Sequence, residues 1–118
     1  MNNQHIDLSF LSESVHGKKH LVKEMLDIFL KELPDGILNL EDAIAKKDYE
    51  TVKQVAHRMT SSVSILGIQD MRSLLLEIQA TTKTNLQSDA IEGQIKKLRG
   101  MAKAVIEEIK YENEKLIS

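Results

Sequence analysis

The sequence contains no cysteine and no tryptophan, has a single proline, and is only 3% aromatic. Without cysteine there is no disulfide framework, no thiol nucleophile and no cysteine-ligated zinc or iron–sulfur centre. The absence also fits a reducing compartment. A β-sandwich or barrel needs many turns and strands rich in aromatic and β-branched residues. The composition therefore disfavours both of these folds.

The sequence also lacks an excess of one charge and a long apolar run. Its 16 basic and 18 acidic residues give a net charge of −2, whereas a nucleic-acid partner calls for a basic face. No apolar run approaches the roughly 20 residues that cross a bilayer, and the first residues do not resemble a signal peptide. We therefore expect a cytoplasmic protein that binds neither nucleic acid nor membrane.

Apolar residues recur at spacings of three and four along nearly the whole chain, which is typical of amphipathic helices, and no stretch alternates like a strand. Short connections between long helices imply antiparallel neighbours. The predicted fold is all-α, an up-and-down antiparallel four-helix bundle with a short additional N-terminal helix, in one domain over residues 1–118. The predicted helices are a short one after Asp7, a long one from about Lys18 to Lys47 that is kinked at Pro34, and three more at about 49–66, 69–82 and from 88 onward.

The helix at about 49–66 carries a histidine outside its apolar stripe. On a wheel of about 100° per residue, His57 points about 140° away from the centre of that stripe. Its neighbours on the helix surface are Lys53, Thr60, Ser61 and Ser64. Hydroxyl residues are poor helix formers in a helix middle, and such local conflicts often mark a functional site. An ordinary solvated histidine on a serine-rich helix is the alternative.

The sequence around His57 resembles the signature of histidine-containing phosphotransfer (HPt) domains, roughly Ala-His-x-Leu-Lys-Gly-x-x-x-x-x-Gly. The resemblance extends over about residues 8 to 117 and includes apolar positions of the next helix. The matching segments are Ala56–Gly67, Phe29–Pro34, Leu40–Asp48 and the positions Met71, Leu74 and Leu75.

The resemblance implies a function for the chain. It would carry a phosphoryl group, as phosphohistidine at His57, between response-regulator receiver domains in a two-component His–Asp phosphorelay. Its partners would be receivers, a hybrid histidine kinase, or both, and it would be a monomer. The receiver would supply Mg²⁺ and the acidic pocket, so we expect no cofactor in this chain. No glycine-rich phosphate loop or kinase motif is present, and we expect no enzyme activity of its own.

Two positions depart from the family pattern. Thr60 stands where the family has a lysine that helps to neutralise the phosphoryl group, and Ser61 stands where it has a glycine. Thr60 offers a hydrogen bond but no charge, so Lys53 and Lys83 are candidates to supply the cation. The alternative function that Thr60 favours is a degenerate bundle, a receiver-docking or adaptor module that is not phosphorylated.

Three further residues are candidates for the site. Gln79 lies at the height of His57 if the hairpin turns near Gly67. In some family members a glutamine at the matching position hydrogen-bonds the imidazole; a solvated glutamine is the alternative. Ile65 and Leu76 are candidate apolar docking residues, although scattered surface apolar residues are common.

No metal site is predicted. His16 and His20 have the spacing of two ligands on one helix face. Gly17 makes a helix between them doubtful, and Lys18 and Lys19 would repel a cation. No third ligand is evident.

Overall fold

The computed structural model describes residues 6–84 and 88–117. Over these residues the four long helices form a bundle, as predicted, and a short helix precedes them. The helices are α1 (Ser9–Ser14), α2 (Lys19–Ala45), α3 (Tyr49–Ile65), α4 (Gln69–Thr84) and α5 (Ser88–Ile117).

The long helices pack in the order α2, α3, α4, α5, and α5 closes against α2. Asn113 donates to Asp27 at 2.7 Å and Arg99 to Glu41 at 2.8 Å, so α2 and α5 run antiparallel. Helix α3 lies between α2 and α4 and diagonally opposite α5. It therefore has one flank toward α2, one flank toward α4 and an outer side at the surface.

Helix α2 continues through its single proline, as the sequence predicts. Pro34 removes one backbone hydrogen bond and crowds the carbonyl of the preceding turn. Leu33 and Ile37 on either side of it are buried in the core, 1% and 5% exposed. We attribute the continuity of α2 to this burial, because tertiary packing supplies most of a helix's stability.

The N-terminal segment covers the end of the bundle where α3 turns into α4. Ile6 and Leu11 are buried, and the Ile6 amide donates to Glu108 Oε1 at 3.2 Å. The Asp7 amide donates to the Leu66 carbonyl at 2.8 Å. This segment therefore links the last turn of α3 to α5.

Helix α3 begins at Tyr49, where the sequence predicts it, and Asp48 is its N-cap. The Asp48 carboxylate accepts from the Thr51 amide at 3.1 Å and from Thr51 Oγ1 at 2.7 Å. The Thr51 hydroxyl, and then the Thr51 amide, lower the pKa of Asp48 because both hydrogen bonds favour its charged form. Asp48 thus satisfies a free amide in the first turn of the helix that carries His57.

We predict that Asp48→Ala destabilises the protein at pH 7 and that this loss shrinks in acid. Because folding lowers the pKa of Asp48, its carboxylate stabilises the folded protein at pH values above its unfolded pKa, near 3.8. This stabilisation is lost as the pH falls through the pKa of the folded state. Urea denaturation of both proteins at pH 7 and pH 3 measures the difference. Asp48→Asn, which keeps an acceptor but does not titrate, is the control. An equal loss from Asp48→Ala at both pH values would contradict the prediction.

Helices α2 and α3 are each followed by a turn with one residue in the left-handed conformation, but the residue differs. After α2, Lys47 takes a φ of 56°, and after α3, Gly67 takes a φ of 69°. Lys47 has a Cβ that this left-handed region disfavours, whereas glycine adopts it freely. At Gly67 an added Cβ would also lie 2.9 Å from the Asp7 Cβ. The turn after α2 is therefore strained, and the turn after α3 has no room for a side chain.

We predict opposite effects from Lys47→Gly and Gly67→Ala. Lys47→Gly should raise the free energy of unfolding by about 0.5–1 kcal/mol, since relief of the left-handed strain exceeds the flexibility that glycine adds to the unfolded chain. Gly67→Ala should lower it by at least about 1 kcal/mol, from the strained backbone and the contact with Asp7. Urea denaturation measures both values, and a destabilising Lys47→Gly would show that the side chain of Lys47 stabilises its turn.

Candidate functional site

Helix α3 presents His57 on its outer side, where the helical wheel predicts it. Ala56 and Val63 are fully buried and hold α3 against the core, while His57 is exposed. Thr60 is half-buried on the flank toward α4, and Ser61 and Ser64 are exposed. The imidazole is therefore bordered by short side chains.

Two of the hydroxyl groups near His57 are turned toward their own helix. Thr60 Oγ1 donates to the Ala56 carbonyl at 2.9 Å, and Ser64 Oγ donates to the Thr60 carbonyl at 2.7 Å. Such bonds to the preceding turn satisfy a hydroxyl without breaking the helix. They explain how α3 tolerates this run of poor helix formers.

Gln79 reaches α3 from α4, but its side-chain nitrogen contacts Thr60. Its Nε2 donates to Thr60 Oγ1 at 3.1 Å and to the Leu75 carbonyl at 3.3 Å. Both Nε2 hydrogens are thus engaged, and a bond to the imidazole would have to use Oε1. Thr60 in turn gives its one hydroxyl proton to Ala56. To donate to a phosphoryl oxygen, Thr60 would have to rotate away from this arrangement.

The two candidate lysines come together at one end of the site. Lys53 from α3 and Lys83 from α4 line one open depression, together with Thr82 and the acidic residues Asp48 and Glu50. Lys53 lies one helical turn before His57. The carboxylates in the same depression partly balance the positive charge.

The candidate docking residues differ in exposure. Leu76 on α4 is 43% exposed, whereas Ile65 is half-buried and packs against the core. Ile65 therefore offers only part of its side chain to a partner.

Arg72 lines a depression with Ser64 at the other end of the site, and it is not among the residues predicted from the sequence. Its spacing could have revealed it, because Arg72, Leu76, Gln79 and Lys83 follow one another at intervals of four, three and four and so form one stripe of α4. We call the surface formed by α3 and this stripe the α3–α4 face. Its residues are Lys53, His57, Thr60, Ser61, Ser64, Arg72, Leu76, Gln79 and Lys83.

Within residues 6–84 and 88–117, no three histidine, aspartate or glutamate side chains are grouped as a metal site. His16 lies in the turn after α1 with a φ of 55°, and His20 lies in the first turn of α2. These two histidines therefore do not share a helix. None of the described helices is long and apolar enough to span a membrane.

Comparisons with known proteins agree with this architecture. The Hpt domain family model matches residues 24–108. The structure resembles the crystal structure of the HPT domain from an Hpt sensor hybrid histidine kinase of Shewanella, with a TM-score of 0.79, 20% identity and coverage of 97% of each chain. The search of curated proteins found no match. Because the family match spans well over half of its length, the chain belongs to the Hpt domain family.

Proposed function

We propose that the chain carries a phosphoryl group on His57 between receiver domains of response regulators, or between a receiver and a hybrid histidine kinase, in a two-component phosphorelay of the cytoplasm. Hpt domains are phosphocarriers rather than enzymes. The observation that carries the proposal is that His57 is the only histidine within the matched residues 24–108. It is also exposed in the middle of α3, where a second protein can reach it.

The nucleophile that the proposed transfer requires from this chain is an accessible imidazole. The remote ring nitrogen, Nε2, attacks the phosphorus of the receiver's aspartyl phosphate. An N–P bond forms, the P–O bond to the aspartate breaks, and the aspartate leaves as a carboxylate with the bonding electrons. The ring keeps its Nδ1 proton or releases it to water. Transfer to the next receiver reverses these steps. Positioning and charge neutralisation dominate such reactions, and the receiver brings the Mg²⁺.

This chain provides less charge neutralisation than the family pattern does. Thr60 is neutral and its hydroxyl donates to the Ala56 carbonyl. We propose that Lys53 and Lys83 supply the positive charge near the phosphoryl group. Both side chains are long and flexible, and Lys53 is one turn from His57. Ser61 and Ser64 would border the bound partner without closing the approach.

We predict that a phosphorylated receiver labels the wild-type chain with acid-labile phosphate and that His57→Gln removes the label. Glutamine keeps a polar side chain at an exposed position, so the fold should not change. Labelling with radioactive phosphate, followed by acid treatment, measures the effect. His20→Gln, which alters an exposed histidine outside the matched range, is the control. Label that persists on His57→Gln would refute His57 as the acceptor.

We predict that Thr60→Lys shifts the transfer equilibrium toward the phosphorylated chain by about two- to fivefold, the range expected for an exposed ion pair. Lys53→Gln and Lys83→Gln should shift it the other way, while Lys97→Gln on α5 should not. The measurement is the share of phosphate on each protein after equilibration with a receiver. Unchanged equilibria in both lysine variants would show that neither lysine contacts the phosphoryl group.

The alternative, a docking or adaptor module that is not phosphorylated, has one observation in its favour. The Thr60 hydroxyl proton is engaged by Ala56 and its oxygen accepts from Gln79, so no group at this position is free to hold a phosphoryl oxygen. Binding of a receiver by the wild-type chain with no label on His57 would select this function.

A further inference from the structure

A second feature lies beside His57, on the flank of α3 that faces α2. A groove of about 210 Å³ runs between the two helices, and we call it the α2–α3 groove. Close approach of the helices forms its floor, since a Cβ on Gly36 would lie 2.8 Å from Met59 Sδ. The floor consists of Leu33, Gly36, Val55 and Met59, and the rim of Glu32, Asp35, Asn39, Arg58 and Ser62.

The α2 rim of this groove carries two carboxylates against one guanidinium on the opposite rim, so the groove has a net negative charge. Glu32 and Asp35 are exposed and three residues apart, a spacing at which like charges on a helix repel each other. Neither carboxylate forms an ion pair with a residue that the structure describes, and neither does Arg58 on the opposite rim. A cation bound at this rim would relieve the repulsion.

The groove lies close enough to His57 to share its partner. Arg58 and Ser62 belong to the same helix as His57, and neighbouring helices are about 8–10 Å apart. A standard interface covers about 800 Å² on each partner, a patch roughly 28 Å wide. A protein centred on His57 would therefore also cover the groove. It would meet a net negative charge on the α2 flank, where Glu32 and Asp35 outnumber Arg58. On the α4 flank it would meet Lys53, Lys83 and Arg72, whose positive charge Asp48 and Glu50 balance only in part.

We propose that the α2–α3 groove anchors a basic side chain of the receiver that docks on His57 and so fixes the orientation of that receiver. This inference rests on the proposed function. The aliphatic stem of a lysine or arginine fits the apolar floor, while its charged end reaches Glu32 and Asp35. Because the net charge changes sign from the α2 flank to the α4 flank of His57, a receiver with complementary charges has a single favourable orientation. Complementary charge of this kind mainly accelerates association.

The test compares two double variants that change the net charge equally. Glu32→Lys with Asp35→Lys reverses the charge on the α2 rim of the groove. Glu92→Lys with Glu107→Lys reverses the charge of two exposed carboxylates on α5, diagonally opposite α3. The measurement is the second-order rate of phosphoryl transfer from a receiver that labels the wild-type chain. The groove variant should be about tenfold slower than the α5 variant at low salt, and the difference should shrink at high salt.

Two further measurements separate docking from chemistry. Labelling of His57 by phosphoramidate, a small phosphodonor that needs no docking surface, should be the same in both variants and the wild type. Reversal of one basic residue on the receiver should restore fast transfer to the groove variant. Equal transfer rates in the two double variants would overturn the inference and leave transfer through His57 standing. No label on the wild-type chain from either donor would overturn the proposed function and this inference with it.

Discussion

The burial of one side of α3 between α2 and α4 determines where the rest of the site lies. Val52, Ala56 and Val63 have no measurable exposure, so the rotation of α3 is fixed by the core. At about 100° per residue, the buried side chains of α3 centre on one direction, and His57 points about 140° away from it. The exposure of His57 is thus a consequence of apolar packing on the opposite side of the helix.

The apolar pattern was enough to predict most of the fold. It gave the four long helices, the start of α3 near residue 49 and the outward direction of His57, because these depend on periodicity within one segment. The end of α4 was wrong by two residues, since the helix reaches Thr84. The hydroxyls of Thr81 and Thr84 donate to carbonyls of the preceding turn, so both are satisfied inside the helix, which composition alone does not reveal.

The polar contacts of the site could not be predicted from the sequence. A helical wheel does not say on which side of α3 the next helix packs, so the contact between Gln79 and Thr60 depends on the handedness of the bundle. It also does not say whether a hydroxyl faces solvent or its own backbone. The partial burial of Ile65 has the same origin, because it depends on how the core is completed by segments distant in the sequence. The proximity of Lys53 and Lys83 in one depression likewise depends on how α4 is placed beside α3.

The hydrophobic core extends beyond both ends of the residues that the family model matches. Ile6, Leu11 and Val22 precede residue 24, Ile109 follows residue 108, and all four side chains are buried in the same core as α3. A fragment trimmed to residues 24–108 would lose these side chains together with the hydrogen bond from Asp7 to the carbonyl of Leu66. Its newly exposed apolar surface would favour aggregation, so experiments on isolated fragments require boundaries that retain both flanks.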